Sequence, residues 1–212
     1  MATSFLTNSS TYGGIPPQKP KFNSIFSCIG ASNHTEKERE KNDYYATPPA
    51  AVENLLKVEK FTQNVLEPAC GEGHISKVLL ENGYDVVSSD LIDRHYGEVK
   101  DFFDVEKWDG DIITNPPYKI ALKFLSHALD IVPVGNKVAM LLKLTFLEGN
   151  SRGEFFKTNP PKKVYVYSYR INPTKNGEFD DSVSSAVAYA WYVWEKGYQG
   201  SPVIDWIRKE AA

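Results

Sequence analysis

One stretch constrains the fold more than any other. From Lys137 to Leu147 the chain reads KVAMLLKLTFL, and Val138 to Leu142 are apolar without a break. A strand with one wet face alternates apolar and polar residues; an unbroken run needs cover on both faces, as strands of parallel sheets have. This run is one of a series. NVLE, DVVSSD, VKDFF and GDIIT are short strand-like stretches upstream of it. Helical stripes lie around them: Val52, Leu55 and Leu56; Ile75, Val78 and Leu79; Ala121, Phe124, Leu125, Ala128, Leu129 and Val132. Pro48 and Pro49 suit the first turn of the first helix, and Asn82-Gly83 the end of the second. Ser151 and Glu154 have capping-box spacing for a short helix carrying Phe155 and Phe156. KVYVYSYRI and SAVAYAWYVW, joined through Asn176-Gly177, read as an antiparallel hairpin. Strands alternating with helices predict an α/β, doubly wound, mostly parallel seven-stranded sheet, with that C-terminal hairpin as its antiparallel edge.

Residues 1–42 are rich in Ser, Thr, Asn, Pro and Gly and end in EKEREK. They show no sustained period and read as a flexible arm in which Phe26 to Ile29 could dock; residues 43–212 read as one domain. No apolar run approaches the roughly 18–20 residues of a membrane span. The start lacks the basic end and apolar stretch of a signal peptide. Cys28 and Cys70 fit neither a disulfide framework nor a metal-ligand spacing, so no metal is expected and a reducing cytoplasm is the default.

The net charge of −3 argues against a chain that coats nucleic acid indiscriminately, but the distribution is uneven. Residues 43–136 carry 8 Lys/Arg against 16 Asp/Glu, whereas residues 137–175 carry 8 against 2. A basic stretch is what a polyanionic substrate favours, since each cation near a phosphate releases a counterion; a solvated surface has the same composition.

In open α/β sheets, ligands bind at the carboxyl ends of the strands. There the first strand enters EPACGEGHIS. Gly71 and Gly73 permit close backbone approach, although G-x-G alone is also what a tight turn uses. The third glycine of a dinucleotide fingerprint is missing. Glu67 suits a cationic or hydroxyl-bearing ligand better than a pyrophosphate. Asp90 ends the second strand about 20 residues on, where an acid can hold ribose hydroxyls. Asp101 and Phe102 end the third, an acceptor for an exocyclic amine beside a ring for a purine. The fourth strand stops at Asn115-Pro116-Pro117-Tyr118. A nucleobase amine is a poor nucleophile because its lone pair is delocalised into the ring. Two fixed acceptors, the Asn115 side-chain oxygen and the Pro116 carbonyl, can hold both N–H groups and pull that nitrogen toward tetrahedral geometry. Asn accepts without titrating, and the prolines fix φ and remove competing donors. Tyr118 supplies a ring for a base swung out of its stack.

EPACGEG, Asp90, DFF and NPPY, in this order, resemble a class I S-adenosylmethionine-dependent methyltransferase with a Rossmann-like sheet, in particular the DNA adenine-specific amino methyltransferases. NDYYATPPAAV resembles that family's first cofactor segment, with Thr47 and Pro48 as its Thr-Pro pair. The segment order is gamma-like. IGASNHTEKEREKNDYYAT and AYAWYVWEKGYQGSPVIDWI are similar to small versions carried by phages and prophages, some with restriction-modification roles. The resemblance implies S-adenosyl-L-methionine as cofactor and DNA as substrate, with no metal and no membrane. Glu67, Ala69, Gly71 and Gly73 would surround the amino-acid part of the cofactor. Asp90 would hold its ribose, and Asp101 with Phe102 its adenine. Tyr45, Pro68, Leu91 and Asn115 join that site; Asn115, Pro116, Pro117 and Tyr118 would be catalytic, and Cys70 structural. Gamma-type enzymes usually carry a target-recognition domain, for which there is little room. Recognition would then fall to residues 145–182, with Phe179 a second stacking ring or a packing one, to the arm, or to a partner. Two other readings keep the same motifs: transfer to RNA or a protein glutamine, and a non-catalytic regulator that binds cofactor or DNA.

Overall fold

A computed structural model describes Met1 and residues 45–174 and 186–209. The chain divides into Met1–Thr35 and Glu36–Ala212, and every helix and strand named belongs to the second unit. The proposed arm, Phe26 to Ile29, Asn176-Gly177, Phe179 and residues 175–182 of the proposed recognition region lie outside the described residues.

The elements run α1 (Pro49–Val58), β1 (Asn64–Glu67), α2 (His74–Glu81), β2 (Asp85–Asp90), β3 (Glu98–Val99), β4 (Asp111–Thr114), α3 (Ala121–Ile131), β5 (Lys137–Lys143), α4 (Asn150–Thr158), β6 (Lys163–Tyr167), β7 (Tyr189–Glu195) and β8 (Val203–Ile207). They build one sheet in the order β3-β2-β1-β4-β5-β7-β6-β8. Neighbours pair in parallel except on the two sides of β7, which is antiparallel to both β5 and β6. The sheet therefore has eight strands, not seven. The hairpin strands are interior: β7 inserts beside β5, and the unforeseen β8 closes that side of the sheet.

Why the Val138–Leu142 run is unbroken is visible in its packing. Ala139 and Leu141 join α1, α2, Ile113, Trp191 and Val193 in one core layer. Val138, Met140 and Leu142 join Ile112, Phe124, Leu125, Tyr192 and Trp194 in the other, under α3. Both faces of β4, β5 and β7 are thus covered, and each fully buried Leu or Ile side chain stabilises the fold by roughly 1.5–3 kcal/mol. Polar anchors fix the layers. The Trp191 indole N–H reaches the Ala51 carbonyl at 3.0 Å, and the Tyr167 hydroxyl donates to the same oxygen at 2.9 Å. At the amino end of β4, buried Asp111 accepts from the Lys137 and Thr62 backbone amides, both at 2.7 Å, and from Asn136 at 3.0 Å.

Two local expectations need correction. The third strand is only Glu98–Val99; Asp101 lies beyond it and caps a 3-10 turn over Phe102–Asp104 by accepting from the Phe103 amide at 3.0 Å. The short helix α4 starts from Gly149, at φ +104°, so Ser151 lies inside its first turn and no side chain caps it. Among the described residues, no helix is long and apolar enough to cross a membrane, and no three His, Cys, Asp or Glu side chains are grouped to hold a metal ion.

Candidate functional site

At the carboxyl ends of β1, β2 and β4 the sheet opens into a cavity of about 300 Å³. Strand order explains the position. β1 pairs with β2 on one side and β4 on the other, so the loops after all three converge. Of the residues singled out in the sequence, Tyr45, Thr47, Glu67, Pro68, Ala69, Asp90, Leu91, Asp101, Phe102, Asn115 and Pro117 line it. Pro48, Gly71, Gly73, Pro116 and Tyr118 do not. Pro48 is the N-cap of α1. The two glycines serve the loop's own shape. The Gly71 amide donates to Asp90 at 2.9 Å, and Gly73, at φ +79°, leaves room for the Tyr96 ring, into which a Cβ there would run.

Three carboxylic acids face the cavity in different surroundings. Glu67 is 1% exposed and takes a hydrogen bond from the Ser76 hydroxyl, which is itself 2.6 Å from that of Ser88. Burial, with the Asp90 charge adding to it and Ser76 opposing, drives its carboxyl up to about 8. Asp90 instead binds two backbone amides, Gly71 and Ile92, each at 2.9 Å. Asp101 is held by its own turn. Cys70, beside them, is a poor nucleophile: burial and the acids Glu67 and Asp90 push its thiol up to about 12.

The turn after β4 carries the most informative geometry. Asn115 Nδ2 donates to the Tyr45 carbonyl at 2.9 Å and to Thr47 Oγ1 at 3.1 Å. A carbonyl can only accept, so this pairing assigns the amide: nitrogen toward Tyr45, Oδ1 away from it. Asn115 Oδ1 is buried and has no hydrogen-bond partner. The neighbouring Pro116 carbonyl accepts from no backbone amide of the described residues. Buried acceptors normally find donors, so the open Asn115 oxygen, with a carbonyl next to it, is a place for an N–H-bearing ligand. The clamp is itself anchored, because Ala46, between Tyr45 and Thr47, exchanges both backbone hydrogen bonds with Thr174 at 2.7 and 3.0 Å.

A second cavity, of about 340 Å³, adjoins the first through Tyr45 and Lys119. Tyr118 lines it, with its ring 5.7 Å from that of Tyr45, 6.0 Å from that of Tyr189, and 4.9 Å from the Lys143 ammonium.

Several wall residues carried no sequence signal. Ile92 and Arg94 come from loops, and Phe103 and Lys119 from 3-10 turns too short for any period to mark them. Phe103 has the nearest thing to a signal, the DFF triplet. The Asp101 turn buries Phe102 against Phe124, ring centres 4.3 Å apart, and leaves Phe103 41% exposed as the open ring of the pair. The basic block at 137–175 also divides. Lys137 pairs with Glu59 at 2.7 Å, Lys163 with Glu59 at 3.5 Å and Lys162 with Glu195 at 2.5 Å. Lys143 and Arg152 stand at the second cavity instead.

No protein-family model matches the sequence, and no curated protein matches it. Solved structures do share the fold. A protein from Listeria monocytogenes assigned as a class I S-adenosylmethionine-dependent methyltransferase has a TM-score of 0.53 at 14% identity, the match covering 83% of this chain and 69% of that one. One from Pyrococcus horikoshii assigned as an RNA methyltransferase has a TM-score of 0.53 at 14% identity, covering 80% and 93%. The modification subunit of an assigned type I restriction enzyme from Vibrio vulnificus has a TM-score of 0.51 at 13% identity, covering 77% of this chain and 46% of the subunit. At these identities the likeness is one of fold, a Rossmann-like sheet.

Proposed function

We propose that this chain is an S-adenosylmethionine-dependent methyltransferase that acts on the exocyclic amino group of adenine in DNA, with the base turned out of its stack. The observation that carries the reading is the Asn115 amide, pinned through its nitrogen with its oxygen buried and without a hydrogen-bond partner. The cavity residues fit the cofactor. Glu67 would take the ammonium of its amino-acid part, giving up its own proton. Asp90, beside Leu91, would accept from the ribose hydroxyls with lone pairs that the two backbone amides leave free. Asp101, with Phe102 and Phe103, would hold the adenine. When bound, this cofactor supplies an electrophilic methyl group on a sulfonium.

The chain's residues prepare the amine. One N–H donates to Asn115 Oδ1 and the other to the Pro116 carbonyl, so the nitrogen's lone pair is drawn out of conjugation before transfer. The Tyr45 carbonyl and Thr47 hydroxyl prevent the amide from rotating. Pro116 and Pro117 hold the turn without offering a donor of their own, and the arrangement is complete before substrate arrives. Tyr118 faces the second cavity, where a turned-out base would stack on it. A role in DNA modification is in keeping with the Vibrio vulnificus neighbour. The Pyrococcus horikoshii neighbour, 93% of which is covered, favours a second reading in which the adenine is in RNA.

The test is transfer of a labelled methyl group from S-adenosylmethionine to unmethylated DNA, to RNA and to protein. The proposal expects label in DNA adenine. It also expects Asn115→Ala to lower transfer about 10²–10³-fold while the variant still binds cofactor. Near-normal turnover by that variant would remove the assigned role, and label confined to RNA or protein would replace the substrate.

A further inference from the structure

The second cavity has a charge pattern that holding an amine does not explain. We propose that it seats a backbone phosphate of the nucleic-acid substrate, gripped by Arg152 and Lys143. This rests on the nucleic-acid reading above. The cavity's polar wall is Lys119, Lys143, Arg152 and Thr145, with the Tyr45 and Tyr118 rings, and no carboxylate of the described residues lines it. Among those residues, neither Lys143 nor Arg152 lies within 4.0 Å of an acid, although Lys137, Lys162 and Lys163 in the same stretch all do. Lys143 and Arg152 on the wall of one concavity repel one another, and an anion bound between them relieves that repulsion.

Arg152 is set in place before any ligand arrives. Its Nε donates to the Glu148 carbonyl at 2.6 Å, and its guanidinium lies 5.2 Å from the Phe146 ring centre. That ring is braced by Tyr192 and Phe156, centres 5.8 and 5.9 Å away. Gly149 completes the seat. A Cβ there would stand 2.8 Å from Arg152 Nη2, and its φ of +104° already disfavours any side chain. A planar fork fixed in this way loses little freedom when it binds, and its remaining N–H groups match an oxyanion. A nucleotide whose base lies on Tyr118 brings such an oxyanion with it; a protein glutamine does not. The site therefore separates the two substrate classes physically.

The experiment measures binding of a short fluorescent duplex by anisotropy across a salt series, for wild type, Arg152→Gln and Lys143→Gln. Cofactor affinity serves as the check that each variant is folded. Each substitution should weaken duplex binding roughly tenfold and flatten the dependence of log affinity on log salt by about one. Arg152→Lys, which keeps the charge but loses the fork, should keep the slope and lose part of the affinity. Slopes and affinities equal to wild type in both Gln variants, with cofactor still bound, would overturn the clamp whatever the methylation assay gives. Flattened slopes in a protein that transfers no methyl group would uphold the clamp and sink the proposed reaction instead.

Discussion

Replacing Glu67 by glutamine removes a buried ionisable carboxyl from the wall of the first cavity. The carboxyl is 1% exposed, and burial is the main cause that raises it from an ordinary 4.5 to about 8. At neutral pH the native state therefore holds a proton that the unfolded chain has released. Native protein binds more protons than unfolded protein across the window from 4.5 to about 8, so stability falls as pH rises through it. A rise of that size corresponds to ~5 kcal/mol between the two ends of the window. That is comparable with the whole stability of many domains, about 5–15 kcal/mol. Glutamine keeps the shape and an acceptor for Ser76 but has no proton to lose. Urea denaturation of both proteins at a series of pH values, without ligand, should show wild type losing several kcal/mol more than Glu67→Gln on going from mildly acidic to mildly alkaline solution. Parallel stability curves would refute the reasoning, because they would mean that Glu67 is ionised in the native state. The same proton links to ligand binding. A ligand ammonium beside Glu67 lowers its pKa, so cofactor binding should release close to one proton near neutral pH and tighten as pH rises toward 8. Titration calorimetry in buffers of different ionisation enthalpy measures that release.

Two further outcomes rest on single contacts. Thr47→Val removes one of the two acceptors that hold Asn115 Nδ2, and a neutral hydrogen bond of ~0.5–1.5 kcal/mol predicts a two- to tenfold slower single-turnover transfer. Thr47→Ser should restore the rate; equal rates for Val and Ser would show that the hydroxyl does not orient the amide. Gly73→Ala should destabilise the fold through both its φ of +79° and the clash with Tyr96. In a Tyr96→Ala background only the backbone cost of about 1–2 kcal/mol should remain, as a double-mutant cycle in urea would measure. An equal cost in both backgrounds would exclude the ring.

Features written in local pattern are legible from the residues alone. The apolar run of β5, the stripes of α1, α2 and α3 and the turn at Asn82-Gly83 all lie where periodicity and turn chemistry put them. Asn115 and the cavity acids stand out because strand ends in this architecture converge. What escapes has physical causes. β8 has four exposed residues in succession, among them Trp206 at 58%, so no alternation announces it. β3, two residues long, is shorter than any periodic window, so its end falls at Val99 rather than at Asp101 and Phe102. Tyr118 lines a cavity neighbouring that of the acids, a division that no local pattern marks. The basic stretch reads as one block because the pairing of Lys137 and Lys163 with Glu59 joins residues far apart in the chain.

The backbone exchange between Ala46 and Thr174 also sets an order of events. The bracket that aims Asn115 is synthesised before β1 to β6, whereas its fastening, Thr174, follows them. A nascent chain could wind its first helices and lay down β1 to β5 while residues 45–47 still hang loose from their anchor. Only when β6 and the residues after it arrive can the amide be locked, so competence at this corner should appear late and abruptly rather than accumulate along the way.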